Sequence, residues 1–220
     1  MILKRKIYKK LLEWKKECQG KKALLIEGAR RIGKSTICEE FGKNEYKSFL
    51  LIDFAKKDKE VEGYFEKYLN DLDTFFMLLQ THFGTKLTER NSLIIFDEVQ
   101  MFPQARAAIK YLVADGRYDY IETGSLISIR ENVKNIVIPS EERHINMYPL
   151  DFEEFAIALE EDLLVEYIKK CFEKREPLER SMHNQAMLLF HQYMLVGGMP
   201  MPVVTFIESK KDFTEADRYQ

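Results

Sequence analysis

The stretch "IEGARRIGKST", residues 26–36, decides the fold of this chain. It matches the pattern G-x-x-x-x-G-K-[ST] in full, with Gly28 and Gly33 followed by Lys34 and Ser35. The apolar run "ALLIE" precedes it and is typical of a strand buried on both faces of a parallel sheet. Glycines between such a strand and a helix let several backbone N–H groups point at one phosphate group. The stretch therefore predicts a phosphate-binding loop.

The loop residues have separate roles in this prediction. We expect Lys34 to bridge the β- and γ-phosphate oxygens as a point charge, and the Ser35 hydroxyl to bind Mg²⁺. The residues expected to hold the nucleotide are Gly28, Ala29, Arg30, Arg31, Ile32, Gly33, Lys34, Ser35 and Thr36. An ordinary glycine-rich turn between a strand and a helix is the alternative interpretation.

A pair of acidic residues ends a second apolar run, "SLIIFDE" at 92–98. Asp97 suits Mg²⁺ held through its water shell, and Glu98 can polarise the water that attacks a γ-phosphate. Ligands of open α/β sheets bind outside the carboxyl ends of the strands, where the loop and this acid pair would both lie. The second acid favours a water-activating NTPase over a kinase. The sequence lacks the N-K-x-D motif with which GTPases read their base.

Further polar residues follow two other predicted strands. Asp53 ends "SFLLID" and is either a third polar group near the metal or, as we favour, a turn-forming residue. Thr123 and Ser125 lie in "ETGS" at the end of the next strand. Either hydroxyl could hydrogen-bond the γ-phosphate or the attacking water. A role confined to the strand-end turn is the alternative for both.

The order of the predicted elements indicates the fold class. Short apolar runs alternate with helical patterns, which predicts an α/β fold with a doubly wound parallel sheet. The predicted strands are 23–27, 48–54, 92–98 and 118–125, with 135–139 as a weaker fifth strand and 144–148 as a further extended piece. The helices predicted between them are 34–42, 60–80 and 104–114.

The two ends of the chain differ from this central part. Residues 1–22 predict an N-terminal amphipathic helix, over 2–18, and 23–148 would form the nucleotide-binding core. Strand signals stop there, and 149–220 predicts a small all-helical lid. Its expected helices start with a capping box at 151 and continue at 163–174, at 184–196 and from 202.

Composition limits location and partners. No apolar run reaches the roughly 20 residues of a membrane span, and the charged N-terminus is unlike a signal peptide, so we expect no membrane partner and a cytoplasmic protein. Three widely spaced cysteines and four histidines favour neither a disulfide framework nor a zinc site. Residues 1–22 hold nine Lys or Arg against two Glu. They could meet the phosphates of DNA, although a solvated helix face is the favoured interpretation.

Several stretches together resemble a known family. They are "GARRIGKST" (28–36), "LIIFDEVQMFPQARAAIKYLV" (93–113), "IETGSL" (121–126), "NMYPLDFEEF" (146–155) and "YMLVGGMP" (193–200). In this order they are similar to a large group of prokaryotic AAA-type ATP-binding proteins. The members carry GARQxGKT and FDEVQ motifs, a later helical region and a C-terminal domain of uncharacterised function, for which a nuclease is one candidate. The resemblance covers nearly the whole chain.

The resemblance implies a P-loop NTPase sheet of the ASCE type, with the sensor strand between the strands that precede the two motifs. It also implies an adenine nucleotide, ATP or ADP, as the ligand. Arg31 stands where the family has Gln, which leaves a loop that acts through backbone amides unaffected. The family's C-terminal domain is missing, and the chain ends in the open helical start "EADRYQ", so we expect a fragment of a longer protein.

An arginine is expected to complete charge neutralisation around the phosphates, from the same or a neighbouring subunit. The candidates are Arg143, Arg130 and Arg117. Glu142 stands where the family has Gly before an Arg, so the sequence does not assign this role to Arg143.

Two functions stay open. One is a Mg²⁺-dependent ATPase in which Asp97 positions the metal, Glu98 activates water and the helical lid closes over the nucleotide. The other is a nucleotide-dependent switch with little hydrolysis, whose ATP and ADP forms present different surfaces to a protein partner, a second copy or DNA. The same residues serve both functions, so the sequence does not separate them.

Overall fold

The computed structural model describes residues 2–125 and 141–219. The chain divides into two compact units: one spans Ile7–Met147, and the other joins the residues up to Lys6 with the chain from Tyr148 onward. The predicted strand 135–139 and the arginine candidate Arg130 lie outside the described residues.

A parallel sheet is the centre of the first unit. Among the described residues its strands are β1 (Ala23–Glu27), β2 (Ser48–Asp53), β3 (Ser92–Asp97), β4 (Asp119–Gly124) and β5 (Glu142–Asn146). Their order is β2-β3-β4-β1-β5, and every neighbouring pair is parallel. The α/β class with a parallel sheet is therefore confirmed. β4, which carries Thr123, lies between β1 and β3, as the resemblance implied.

The helices of the first unit follow the strands in alternation. They are α1 (Ile7–Cys18), α2 (Lys34–Glu45), α3 (Lys59–Tyr68), α4 (Leu72–Phe83) and α5 (Pro103–Asp115), with 3-10 turns at Phe54–Lys56 and Val99–Met101. Rings of Phe54, Phe65, Phe96 and Phe102 pack together in the core between the sheet and α3 to α5.

The prediction of one helix over 60–80 is wrong. The apolar stripe runs through both α3 and α4, but the Asp71 side chain accepts a hydrogen bond from the Thr74 backbone N–H at 3.2 Å and starts a new helix. An aspartate that caps a helix in this way competes with continuation of the preceding one. The N-terminal helix is also shorter than predicted, since it begins at Ile7.

The second unit is helical in its described residues. Its helices are α6 (Phe152–Ala158), α7 (Asp162–Lys174), α8 (Arg180–Val196), α9 (Pro200–Glu208) and α10 (Phe213–Asp217). The predicted capping box of Asp151 and Glu154 is present. The last helix, predicted as an open start, has Asp212 as its N-cap. None of the described helices is long and apolar enough to cross a membrane.

Two local contacts organise this second unit. The Lys6 backbone N–H donates to Glu154 Oε1 at 2.6 Å, which ties the segment before α1 to α6. A Cβ atom at Gly198 would lie 2.2 Å from the Leu150 carbonyl oxygen, so the backbones approach too closely for any side chain. Leu150 N–H donates to the Gly198 carbonyl at 2.7 Å across the same contact.

Candidate nucleotide-binding site

The loop of residues 28–33 starts where three strands end together. Gly28 N–H donates to the Gly124 carbonyl of β4 at 3.3 Å, and Met147 N–H donates to the Glu27 carbonyl at 2.8 Å. A Cβ atom at Gly28 would lie 2.4 Å from the Met147 carbonyl oxygen and 2.6 Å from Ile32 Cδ1. Only glycine fits this position, which explains the first glycine of the motif in steric terms.

The end of the loop is set by backbone conformation. Gly33 has φ 91° and precedes α2 as its N-cap, in the left-handed region that glycine enters without steric cost. Arg31 is also left-handed, at φ 64°, which costs a non-glycine residue about 1 kcal/mol. The side chains of Arg30 and Arg31 are exposed, as are Ala29 and Thr36, whereas Ile32 is buried. The chain thus turns sharply at both ends of the loop.

Lys34 is held inside this turn. It is only 5% exposed, and its Nζ donates to the carbonyl oxygens of Gly28 at 3.0 Å and Ala29 at 2.7 Å. Burial lowers the pKa of the Lys34 ammonium, and the carboxylates of Glu98 and Asp97 oppose this effect. Phosphate oxygens carry charge and are stronger hydrogen-bond acceptors than carbonyls. The ammonium is therefore placed to exchange one kind of acceptor for the other.

A hydrogen-bonded network joins the loop to the acid pair of β3. The Ser35 hydroxyl lies 2.8 Å from each carboxylate oxygen of Asp97 and donates to this group. The Thr123 hydroxyl donates to Asp97 Oδ1 and accepts the Glu98 backbone N–H at 3.2 Å. Residues from three separate parts of the sequence, in α2, at the end of β3 and in β4, therefore meet at the carboxyl edge of the sheet.

The oxygen atoms of this network fit Mg²⁺. The ion favours one or two carboxylates, with substrate phosphates and waters, over a cage made of protein side chains alone. Asp97 is buried and offers the carboxylate, and Ser35 offers a hydroxyl. No group of three His, Cys, Asp or Glu side chains suited to a metal is found within residues 2–125 and 141–219. The chemistry of the donors therefore matches a phosphate-bound magnesium ion.

Glu98 is restrained at its backbone and at its carboxylate. Its φ of 53° is in the left-handed region, directly after β3. Its Oε2 accepts a hydrogen bond from Nε2 of Gln100 in the following 3-10 turn. Gln100 belongs to the "FDEVQ" motif but was not among the predicted site residues. The hydrogen bond to Glu98 is the feature that distinguishes Gln100 from an ordinary turn residue.

Asp53, Ser125 and the arginine candidates have other surroundings. Asp53 lies opposite Asp97 in the strand register, but its side chain caps the next turn by accepting Ala55 N–H at 3.0 Å. This bond supports the turn-forming interpretation. Ser125 is buried directly after β4.

Neither described arginine candidate is brought to the loop. Arg143 pairs with Leu24 near the amino end of β1, and its guanidinium contacts Glu17 at 2.6 Å. Arg117 precedes the amino end of β4 and pairs with Asp115 at 2.8 Å and Asp73 at 2.6 Å. Both residues thus lie towards the edge of the sheet opposite the phosphate loop.

A second charged cluster, not foreseen from the sequence, lies within the sheet. Arg106 of α5 donates to Glu142 of β5 through Nε at 3.1 Å and through Nη2 at 2.8 Å. Glu122 of β4 is fully buried beside this pair. Burial and the neighbouring Glu142 carboxylate raise the pKa of the Glu122 carboxyl well above its usual range. His144 also contacts Glu142, at 3.2 Å.

Comparison with protein families bears directly on this site. A family model described as an AAA domain matches residues 20–156, well over half of the chain. The chain belongs to the AAA domain family. The match includes the phosphate loop, the acid pair of β3 and Thr123. Membership supports a nucleotide-binding, ATPase-type function for this AAA domain.

A solved structure with a TM-score above 0.5 shows a similar fold. The AAA domain chain is similar to Hsp104, in a closed state with ATPγS and FITC casein, with a TM-score of 0.52 and 15% identity over 97% of this chain and 38% of that chain. It is also similar to a STAND ATPase with a tetratricopeptide repeat sensor from Pyrococcus horikoshii, with a TM-score of 0.47 and 17% identity over 100% of this chain and 32% of that chain. For ORC1 of Aeropyrum pernix in complex with DNA the TM-score is 0.44, with 9% identity over 89% of this chain and 68% of that chain.

The similarity to Hsp104 is limited to the fold. The chain spans about a third of the length of the STAND and Hsp104 chains, at 32% and 38%. A comparison with curated protein sequences gives no significant match. The narrower resemblance, to the group with a GARQxGKT loop and an extra C-terminal domain, stays a prediction.

Proposed function

We propose that this AAA domain binds ATP with Mg²⁺ at residues 28–36 and hydrolyses it to ADP and phosphate. The observation that carries the proposal is the network of Ser35, Asp97, Thr123 and Glu98. It brings a hydroxyl and a carboxylate suited to a metal ion next to a second carboxylate suited to a water molecule. A purely structural strand end would not require a second acid directly after Asp97, held through its backbone N–H by the same Thr123 hydroxyl.

The residues of the chain would act together in the reaction. Lys34 holds the β- and γ-phosphate oxygens, and backbone N–H groups of the loop add to this hold. When bound by Ser35 and Asp97, Mg²⁺ supplies further neutralisation of the phosphate charge. The oxygen of a water molecule forms a bond to the γ-phosphorus while the bond from phosphorus to the bridging oxygen breaks, and its electron pair stays with ADP. Glu98 accepts the proton that the water loses and releases it to solvent.

Steady-state phosphate release tests this proposal in the chain as it is, beside Glu98→Gln. The substitution keeps the size of the side chain but removes the base, so we expect kcat to fall by about 10²- to 10⁴-fold. Calorimetry should find ATP bound with similar affinity by both proteins. If both bind ATP and both are equally inactive, the hydrolysis proposal is wrong.

A second function, the nucleotide-dependent switch, is favoured by one observation. The guanidinium groups of Arg117 and Arg143 are engaged away from the loop, so their charges do not add to that of Lys34. Hydrolysis by one chain alone would then be slow, and the ATP-bound form would persist. A single-turnover measurement distinguishes the two functions: bound ATP that remains intact over many minutes supports the switch.

The partner of such a switch is also a proposal, and the described residues leave a protein, a second copy of the chain and DNA open. The exposed lysines of α1, such as Lys9, Lys10 and Lys16, are the feature that would meet DNA. Binding through phosphates weakens steeply as salt rises. Affinity for duplex DNA that is undetectable at low salt, or insensitive to salt, would rule out this partner.

A further inference from the structure

The carboxylate of Glu98 has a dedicated hydrogen-bond donor. Gln100, two residues later, directs its Nε2 to Glu98 Oε2 from the turn Val99–Met101. Gln100 is 5% exposed, whereas Glu98 is half-buried. Among the described residues, the hydrogen bond found to the Glu98 carboxylate goes to Oε2 and none goes to Oε1. One carboxylate oxygen is thus held and the other is left open.

We propose that Gln100 is a positioning residue for ATP hydrolysis, which fixes the carboxylate of Glu98 so that Oε1 meets the attacking water. This inference rests on the proposed function. It assigns a role to a side chain that would contact neither the nucleotide nor the metal ion. Its proposed effect on the reaction is exerted through the carboxylate of Glu98.

The restraint on Glu98 has three parts, and Gln100 supplies the outermost. The left-handed backbone sets the direction in which the side chain leaves the strand. Thr123 holds the backbone N–H of the same residue at 3.2 Å. A glutamate side chain still has three rotatable bonds beyond these points, and the amide of Gln100 limits them. Preorganisation of this kind reduces the ordering needed when the reaction takes place.

An amide suits this role better than a charged donor would. Glutamine does not titrate, so it neither takes the proton from Glu98 nor offers one to the water. A lysine or arginine at this position would form an ion pair and weaken Glu98 as a base. Val99 and Gln100 are buried in the 3-10 turn, which fixes the position from which the amide extends. The geometry therefore matches a support for the base rather than a second base.

The test compares Gln100→Leu with the matched control Gln104→Leu, since Gln104 is exposed at the start of α5. Leucine removes the donor but has a similar volume. We expect kcat of Gln100→Leu to fall about tenfold, while KM and the Kd for ATP change by less than about twofold. Gln104→Leu should leave all three unchanged. An unfolded fraction would also lower kcat at an unchanged KM, so the stoichiometry of ATP binding in calorimetry must equal that of the unaltered chain.

A double variant shows whether Gln100 acts through Glu98. In the Glu98→Gln background, Gln100→Leu should cause no further loss of kcat, because the carboxylate that it positions is gone. A further tenfold loss in that background would overturn the inference. A rise in kcat in the single variant would also overturn it, since the amide would then restrain Glu98 in an unproductive position.

A measurement without turnover tests the contact between Gln100 and Glu98 directly. In ¹⁵N NMR spectra of the unaltered chain, the side-chain amide protons of Gln100 should exchange slowly and shift in Glu98→Ala. Unchanged resonances would overturn the proposed contact. Failure of the proposed function has a different signature: the unaltered chain would release phosphate no faster than Glu98→Gln, which overturns both proposals. Normal turnover with an unaffected Gln100→Leu overturns only the role of Gln100.

Discussion

Glu122 and Thr123 are neighbours on β4, yet they belong to two different polar clusters. Side chains alternate between the faces of a strand, so consecutive residues point in opposite directions. Thr123 points to Asp97 and the carboxyl-edge network, whereas Glu122 points to Arg106 and Glu142 in the interior. The first cluster lies where a ligand can reach it, and the second is closed. Acidic residues close together therefore do not by themselves indicate a catalytic site.

The two clusters differ in how their charges are balanced. In the interior, Arg106 is 3% exposed and compensates the buried Glu142 carboxylate directly, and burial raises the pKa of the second acid, Glu122, well above its usual range. At the carboxyl edge, hydroxyls and one amide contact the carboxylates, while Lys34 bonds to carbonyl oxygens. In the interior, the charges of Arg106 and Glu142 compensate each other, whereas the edge network keeps acceptor capacity for a ligand. Substitutions should thus affect stability in one cluster and nucleotide chemistry in the other.

The largest effect is expected from Arg106→Met. Removal of one partner of a buried ion pair leaves the other charge uncompensated, which costs about 3–5 kcal/mol. The free energy of unfolding from denaturant titration should fall by this amount. Lys43→Met is the control, because the pair of Lys43 with Glu39 at 3.6 Å is exposed and worth at most about 1 kcal/mol. Equal losses in the two variants would remove the contrast between the clusters.

Lys34→Ala should act on the other cluster, with a somewhat smaller effect in free energy. The variant loses the buried ammonium, so we expect the Kd for ATP to rise about 100-fold or more. The free energy of unfolding without nucleotide should stay close to that of Lys43→Ala, a change in the same helix. Calorimetry that finds ATP binding unchanged would show that Lys34 is not the phosphate-binding lysine.

The smallest effect concerns Glu122→Gln and appears in the pH dependence of stability. A carboxyl whose pKa is raised on folding favours the folded state while protonated. Its contribution is complete below the unfolded value of 4.5 and is lost as pH rises towards the raised folded value. The slope is at most about 1.4 kcal/mol per pH unit.

The measurement follows the free energy of unfolding between about pH 5 and about pH 8. In the unaltered chain it should fall across this range, and Glu122→Gln should flatten the fall, because glutamine does not titrate. Glu66→Gln, an exposed control in α3, should reproduce the unaltered slope. Parallel curves for Glu122→Gln and the control would mean that Glu122 titrates normally.

Local patterns in the sequence predicted the sheet, and they also placed the phosphate loop and both acids of β3 on one crevice. These features depend on short-range rules: an apolar run, a glycine that must turn, an acid at the end of a strand. The sequence did not predict the break at Asp71, because the apolar stripe continues across it. Nor did it predict the pairing of Arg106 with Glu142, which are separated by 36 positions in the chain.

The arginine candidates also show that short motifs do not predict contacts set by the fold. Arg143 was considered because of its place in a family motif, but strand register decides which end of the sheet it occupies. Register is set by the pairing of whole strands, which no short motif contains. Gln100 was overlooked for a related reason, since a glutamine in a turn becomes informative only when its donor is seen to meet a carboxylate.

The single hydroxyl of Thr123 couples two contacts of the site, so that they form and break together. It contacts the acid suited to the metal and the backbone of the acid suited to the water, so one rotation about its Cα–Cβ bond breaks both contacts at once. The methyl group on the same carbon restricts that rotation, as in every β-branched side chain. A serine at position 123 could make both hydrogen bonds, but its hydroxyl would rotate more freely about the Cα–Cβ bond. The Thr123 methyl group, which touches no ligand, would thus help to keep the contacts to Asp97 and to the Glu98 backbone formed at the same time.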